Sequence, residues 1–440
     1  MIDPLLIPLV FFMTVLISLC PPLIPIVEAQ DGCVTQKCHS TMLKGKSVHP
    51  GADPCEGCHE ATDTTHPVKG KKTFKLLQEP PDLCYTCHDA FGTGEGMKLH
   101  SPVEEGTCTV CHNPHQSDQE KLLVQPMGDL CFGCHENNIS DASVHGPAGV
   151  GSCTECHNPH QSKYDKLRVE EGEKLCFLCH ADIQEDLKKG HVHTAVTMGC
   201  PSCHNPHSGP YKMMLPADGK DLCFQCHSDI SDIIKKAKII HPPIQTERSC
   251  VSCHSPHAGK TEKLTDKMGK DLCLECHKGI IGTSDQNLHG PIKQGACVAC
   301  HDPHGTPNDK LLKKHYVMDY YAPYNDTNYE LCFSCHDKEL LRFPDTSFAT
   351  NFRDGQRNLH YLHVNRKKKS RTCRFCHEPH SSKNPKLIRN YIQFEQWRLP
   401  TNFEKTETGG TCTPGCHKKV IYDRETPGKE PEKPPKTLPP

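Results

Sequence analysis

The chain has 440 residues, a formal net charge of −2 at pH 7, and 37 Pro, 31 Gly, 31 Cys and 32 His. Leu, Ile, Val and Phe make up roughly 17% of residues 30–440, a level that excludes an ordinary aliphatic core. The near-neutral charge excludes both a charge-extended disordered chain and an electrostatic nucleic-acid binder.

Residues 1–29 read as an exported leader, a signal peptide. An uncharged apolar run extends from Pro4 to Val27, and Val27-Glu28-Ala29 ahead of Gln30 fits a small-residue cleavage site. Asp3 stands where a basic residue is usual, and five prolines in the run oppose a spanning helix, which needs about 20 helical apolar residues. Cys20 lies in this leader, preceded by Leu19 rather than by the small residue of a lipid-anchored chain.

The remaining cysteines follow a pattern. Residues 30–98 open with Cys33-x4-Cys38-His39, continue with His49, then Cys55, Cys58 and His59, then His66, and close on Cys84, Cys87 and His88. Residues 99–304 repeat one layout. His100 precedes Cys108, Cys111 and His112, then His115, then Cys131, Cys134 and His135. Next come His145, Cys153, Cys156, His157, His160, Cys176, Cys179 and His180. The third copy has His193, Cys200, Cys203, His204, His207, Cys223, Cys226 and His227. The fourth has His241, Cys250, Cys253, His254, His257, Cys273, Cys276 and His277. In these four copies the leading cysteines of the two motifs stand 23 residues apart. A stretched copy follows with His289, Cys297, Cys300, His301, His304, Cys332, Cys335 and His336. Cys373, Cys376, His377 and His380 open a last one, and Cys412-x3-Cys416-His417 ends the series. Residues 305–425 form an aromatic-rich C-terminal segment that holds the only Trp, Trp397, and residues 426–440 a Pro-rich flexible tail.

Cys-x-x-Cys-His is the attachment signature of a c-type haem. Two thiols three residues apart can add to the two vinyl groups on one edge of a porphyrin, and the next residue delivers a neutral imidazole to the iron. Thirteen strict motifs use 26 cysteines. The widened Cys33/Cys38 and Cys412/Cys416 pairs also end in Cys-His, and read as haem sites they bring the expected number to fifteen. The competing reading for those two is a local disulfide.

Fifteen His follow the cysteines directly, leaving seventeen. A six-coordinate site at every iron needs fifteen more. Fourteen candidates hold fixed offsets in the repeat: His49, His66, His100, His115, His145, His160, His193, His207, His241, His257, His289, His304, His363 and His380. His191, His315 and His360 compete for the last place, and His360 and His363 are hard to tell apart. In Cys-His-x-Pro-His the two His are three residues apart, a reach of at most ~11 Å. Clasping both faces of one ring across that reach is implausible, so the second His should serve a different haem.

Secondary structure should be sparse, with short helices over 181–189 and 228–238, the latter with Ser228 as N-cap, and no sustained strand alternation. Units that touch mainly their neighbours make a quasi-one-dimensional array. The aromatics after residue 305 would cover haems exposed by the wider spacing, or form a docking surface.

The six leaders from Cys111-His112-Asn113-Pro114-His115 to Cys376-His377-Glu378-Pro379-His380 resemble those of multihaem cytochromes c with doubled CxxCH motifs, among them the electron-conduit cytochromes of metal-respiring bacteria. The resemblance covers residues 33–417. It implies a mostly coil fold with short α-helices and little β, an elongated repeat array of haem pairs with a haem-based core. It also implies bis-histidine haems that carry electrons through the cell envelope, in the periplasm, at the outer membrane or outside it. Implied partners are other redox proteins: a membrane quinol-oxidising donor, an outer-membrane conduit, other cytochromes, or further copies in a filament. A multihaem reductase of nitrite or hydroxylamine would need one haem with an open face. Zinc knuckles would not require His after every second Cys.

Overall fold

The computed structural model describes residues 33–35, 38–62, 66–394, 396–415 and 417–428. The leader with Cys20, together with Cys416 and residues 429–440, lies outside the described residues.

Most of the chain is coil, with short helices, single 3-10 turns and small antiparallel strand pairs. The longest helices of the repeat array are Ala181–Lys189 and Ser228–Lys236. The first begins and ends as its sequence suggests. The second starts at Ser228 itself, so the residue before it is His227, and no side chain caps it. Ser228 is thus not the N-cap. The chain leaves a Cys-x-x-Cys-His turn directly into the helix, which places the motif histidine at the boundary.

Contacts divide the chain into two compact units, Met1–Glu136 with His157–Leu167, and Asn137–Cys156 with Arg168–Pro440. In the first unit, Ser47–Val48 pairs with Gln116–Ser117, and Lys98–Leu99 with Gln161–Ser162. In the second, Ser143–Val144 pairs with Ser208–Gly209, His191–Val192 with Ala258–Gly259, Ile239–Ile240 with Gly305–Thr306, and Asn287–Leu288 with Ser381–Ser382. The rule is the same in both: two residues ahead of a repeat's first His pair with two residues just past the x-Pro-His of the next repeat. Each pair is too short to stand alone. It serves as a stitch.

Buried aliphatic side chains are few along the repeats, among them Ala52, Ile244, Ala258 and Ile292. The aromatic segment differs. Tyr329, Leu341 and Val364 form a buried cluster, packed by Tyr316, Val317, Tyr324, Phe333, Leu340 and Cys373. Those aromatics therefore build a conventional side-chain core against two cysteine motifs. Beyond it lie a hairpin, Tyr391–Phe394 with Trp397–Pro400, and a three-stranded sheet, Glu404–Lys405, Gly409–Cys412 and Val420–Asp423. These strands lack a sequence signal because each is two to four residues long. Among the described residues no helix is long and apolar enough to cross a membrane.

Candidate functional site

Each strict motif of the array is a single helical turn. The His112 amide donates to the Cys108 carbonyl at 3.0 Å, and the same bond recurs from His135 to Cys131, His180 to Cys176, His227 to Cys223, His277 to Cys273 and His336 to Cys332. One turn puts both thiols on one side with the histidine at its end. Cys412 instead ends a strand, and the His417 amide donates to the Pro414 carbonyl at 3.3 Å. Cys33 and Cys38 precede a left-handed His39 (φ 51°). The two widened motifs thus reach their histidine by other backbone paths.

The histidines pair across a constant gap, in two series. The His ahead of each leading motif faces the His of the trailing motif in its own repeat: His49 with His88, His100 with His135, His145 with His180, His193 with His227, His241 with His277 and His289 with His336, at ring-centre distances of 6.0–6.2 Å. The leading motif's own His faces the x-Pro-His of the following repeat: His59 with His115, His112 with His160, His204 with His257, His254 with His304 and His301 with His380, at 5.9–6.3 Å. His39 faces His66 at 6.0 Å. His157 and His207 occupy the corresponding positions of their repeats.

The backbone explains the constancy. Asn113 Oδ1 accepts the amides of His115 and Gln116, and Asn158 does the same for His160 and Gln161, an Asx turn that presents the His beyond the proline. Asn205 and Asp302 likewise accept the amides of His207 and His304. The His ahead of each motif stands just before a short helical turn, as His100 does before Ser101–Glu104 and His145 before Gly146–Gly149. Its amide donates to the stitched partner's carbonyl, His100 to His160 at 3.0 Å and His193 to His257 at 2.8 Å.

In two groups of these rings Nδ1 is engaged by a backbone carbonyl. His100, His145 and His193 place it 3.0 Å from the carbonyls of Pro159, Pro206 and Pro256. His112, His157, His204, His254, His301 and His377 place it 2.7–2.9 Å from the carbonyl nine residues on, at Lys121, Lys166, Met213, Lys263, Lys310 and Lys386. That carbonyl belongs to a turn in which Lys121 and Leu122, Lys166 and Leu167, Met213 and Met214, Lys310 and Leu311, and Lys386 and Leu387 all have positive φ. That conformation is strained for any residue other than glycine. A second bond holds the turn, since the residue after the motif His donates to it: Asn113 to the Leu122 carbonyl, Asn158 to Leu167 and Asp302 to Leu311. Sequence reasoning missed these turns. Their signal is a recurring Lys-Leu, or Met-Met, nine residues past the motif histidine.

A ring whose Nδ1–H is tied to a carbonyl leaves Nε2 as a free lone pair, the arrangement of a metal-bound imidazole with its outer partner. Burial lowers the proton affinity of His115, His160, His241, His257, His289 and His380, favouring the neutral ligand form. Two metal–nitrogen bonds of about 2 Å in line, plus the two ring half-widths, separate ring centres by about 6 Å. The residues therefore fit a porphyrin iron between each pair. Among the described residues no three His, Cys, Asp or Glu converge on one point as a zinc knuckle requires.

Neighbouring motifs also adjoin at their cysteines. Cys84 lies beside Cys108 in the first unit, and Cys176 beside Cys200, Cys223 beside Cys250, Cys273 beside Cys297 and Cys332 beside Cys373 in the second. Burial, with the neighbouring thiol, pushes Cys176 and Cys273 up to about 11.

A motif of this kind, repeated with paired imidazoles, defines a c-type cytochrome. The family model of the doubled CXXCH motif matches residues 100–139, 145–185, 193–232, 241–281 and 289–340. The chain is a multihaem c-type cytochrome that binds haem c covalently. Over 113 residues, 24% of this chain, it is 27% identical to the multiheme cytochrome MtrA of Shewanella baltica (strain OS185). The match covers 32% of that relative's length.

Proposed function

We propose that the chain transfers electrons through the cell envelope along about fifteen bis-histidine haems c, and that none of them is a catalytic site. The observation behind this reading is the recurring pair of imidazoles about 6 Å apart. A site closed by two histidines has no position for substrate, and bis-histidine ligation gives a lower potential than a Met/His pair. Bound haem supplies reversible one-electron iron chemistry. The chain's residues would fix both faces of each ring and tether one edge, and they place the attachment cysteines of successive motifs side by side. Fifteen haems add thirty propionates to a near-neutral polypeptide, so reduction is coupled to proton uptake and cationic surfaces attract the protein. Its partners are other redox proteins of the envelope, reached after export.

The test is exposure of the fully reduced, haem-loaded protein to carbon monoxide and to nitrite. Low-spin spectra that stay unchanged support the wire. One equivalent of carbon monoxide complex with rapid nitrite turnover replaces it by a multihaem reductase.

A further inference from the structure

Ligand sharing along the array poses a problem at its end. Each leading motif borrows its second histidine from the x-Pro-His of the next repeat, and His380 already stands at His301. Residues 381–440 carry no x-Pro-His, and the ring that faces the His377 of the Cys373 motif is instead His360. We propose that the helix Leu359–Val364 takes the place of an x-Pro-His there: His360 is the axial partner of His377, and His363 that of His417. This rests on the bis-histidine reading above and names the histidines that complete it.

The geometry matches the rest of the array. The His360 and His377 ring centres lie 6.3 Å apart, with an interplanar angle of 23°. His360 Nδ1 is 2.9 Å from the Thr350 hydroxyl, and His377 Nδ1 is 2.9 Å from the Lys386 carbonyl. His363 Nδ1 is 2.7 Å from the Leu359 carbonyl, and His417 Nδ1 is 2.7 Å from the Lys418 carbonyl. All four rings thus keep Nε2 available. In every complete repeat the His ahead of the leading motif faces the His of the trailing motif, and His363 and His417 hold those two places around the Cys373 motif.

Three residues apart on one helix, the two histidines are surface neighbours that serve different irons. The helix is held firmly. Phe352 packs edge-on to His360 at 5.1 Å and stacks on His363 at 6.0 Å. Asn358 is fully buried at the helix start, accepting the amides of His360 and Tyr361 and donating to the carbonyls of Leu340 and Phe343. Asn365 donates to the Leu341 carbonyl. The aromatic insertion thereby fixes a two-ligand helix that closes the array within one chain, without a histidine from a second copy.

The experiment is electron paramagnetic resonance of the oxidised full-length protein, with carbon monoxide titration of the reduced form, for H360G, H363G, H191A and H315A. H360G and H363G are each expected to convert about one haem in fifteen to a high-spin, carbon-monoxide-binding site that added imidazole restores. H191A and H315A should match the wild type. Fully low-spin H360G or H363G overturns the assignment, as does an opened haem in H191A or H315A. An open haem in the wild type instead overturns the bis-histidine reading. If H360G does not accumulate, H360M is read: one haem raised in potential supports the assignment, and an unchanged titration overturns it.

Discussion

Replacing Asn358 by Ala should loosen the closing helix without touching an imidazole. The side chain is 0% exposed and uses both its oxygen and its amide: Oδ1 accepts from His360 N at 3.0 Å and Tyr361 N at 3.1 Å, and Nδ2 donates to Leu340 O at 3.0 Å and Phe343 O at 2.9 Å. Loss of a helix N-cap costs about 1 kcal/mol. Each of the two hydrogen bonds lost from Nδ2 adds about 1 kcal/mol. The sum, about 3 kcal/mol, corresponds to roughly two decades in local opening. Hydrogen–deuterium exchange of a peptide spanning residues 358–366, in the oxidised haem-loaded protein, reads this directly. Asn358→Ser keeps a capping oxygen and loses only the donors, so its exchange should fall between the two. Protection in Asn358→Ala within twofold of wild type would show that Asn358 does not position His360 and His363.

Three further outcomes are expected. Intact mass under denaturing conditions should show fifteen added haems, whereas thirteen would mean that the Cys33 and Cys412 motifs carry none. Gly259→Ala should open one haem, because a Cβ there would lie 2.4 Å from Leu264 C and push the turn that holds His254 Nδ1 away from the strand that follows His257, while Gly279→Ala, with nothing within 4 Å, should not. The C-terminal sheet should lose exchange protection as pH falls from about 4 towards about 2. The Thr408 hydroxyl and the amides of Thr426 and Glu425 hold Asp423 down at about 2, below the ordinary carboxylate value of 3.8, so its stabilisation is present above the unfolded value and disappears on acidification. Asp423→Asn should remove that pH dependence.

The repeat and its chemistry were legible because covalent tethering fixes residue type and spacing, which is what sequence preserves. The helix Ala181–Lys189 was legible too, since a charged, Pro-free run between two punctuated loops has few alternatives. The Lys-Leu turns were not. Lysine and leucine disfavour positive φ, and only the bonds to the motif histidine and to the residue after it impose that conformation. The choice between His360 and His363 was also beyond the sequence. The two sit on one helical turn, and it takes the structure to place His360 6.3 Å from His377. The short strands around Gly409–Cys412 carried no periodicity to read.

The stitch bears on how such a chain can change length. On the proposed ligation, a complete repeat brings two cysteine motifs and two further histidines, keeps one of those histidines for itself and lends the other to the repeat before it. Inserting a copy of an internal repeat therefore leaves the number of ligands matched to the number of irons, and deleting one does the same. Cutting within a repeat does not: it strands an iron in the preceding unit, whose own sequence is intact. Arrays of this design should grow and shrink by whole units between fixed ends. Damage at one point should be felt one repeat upstream of where it occurred.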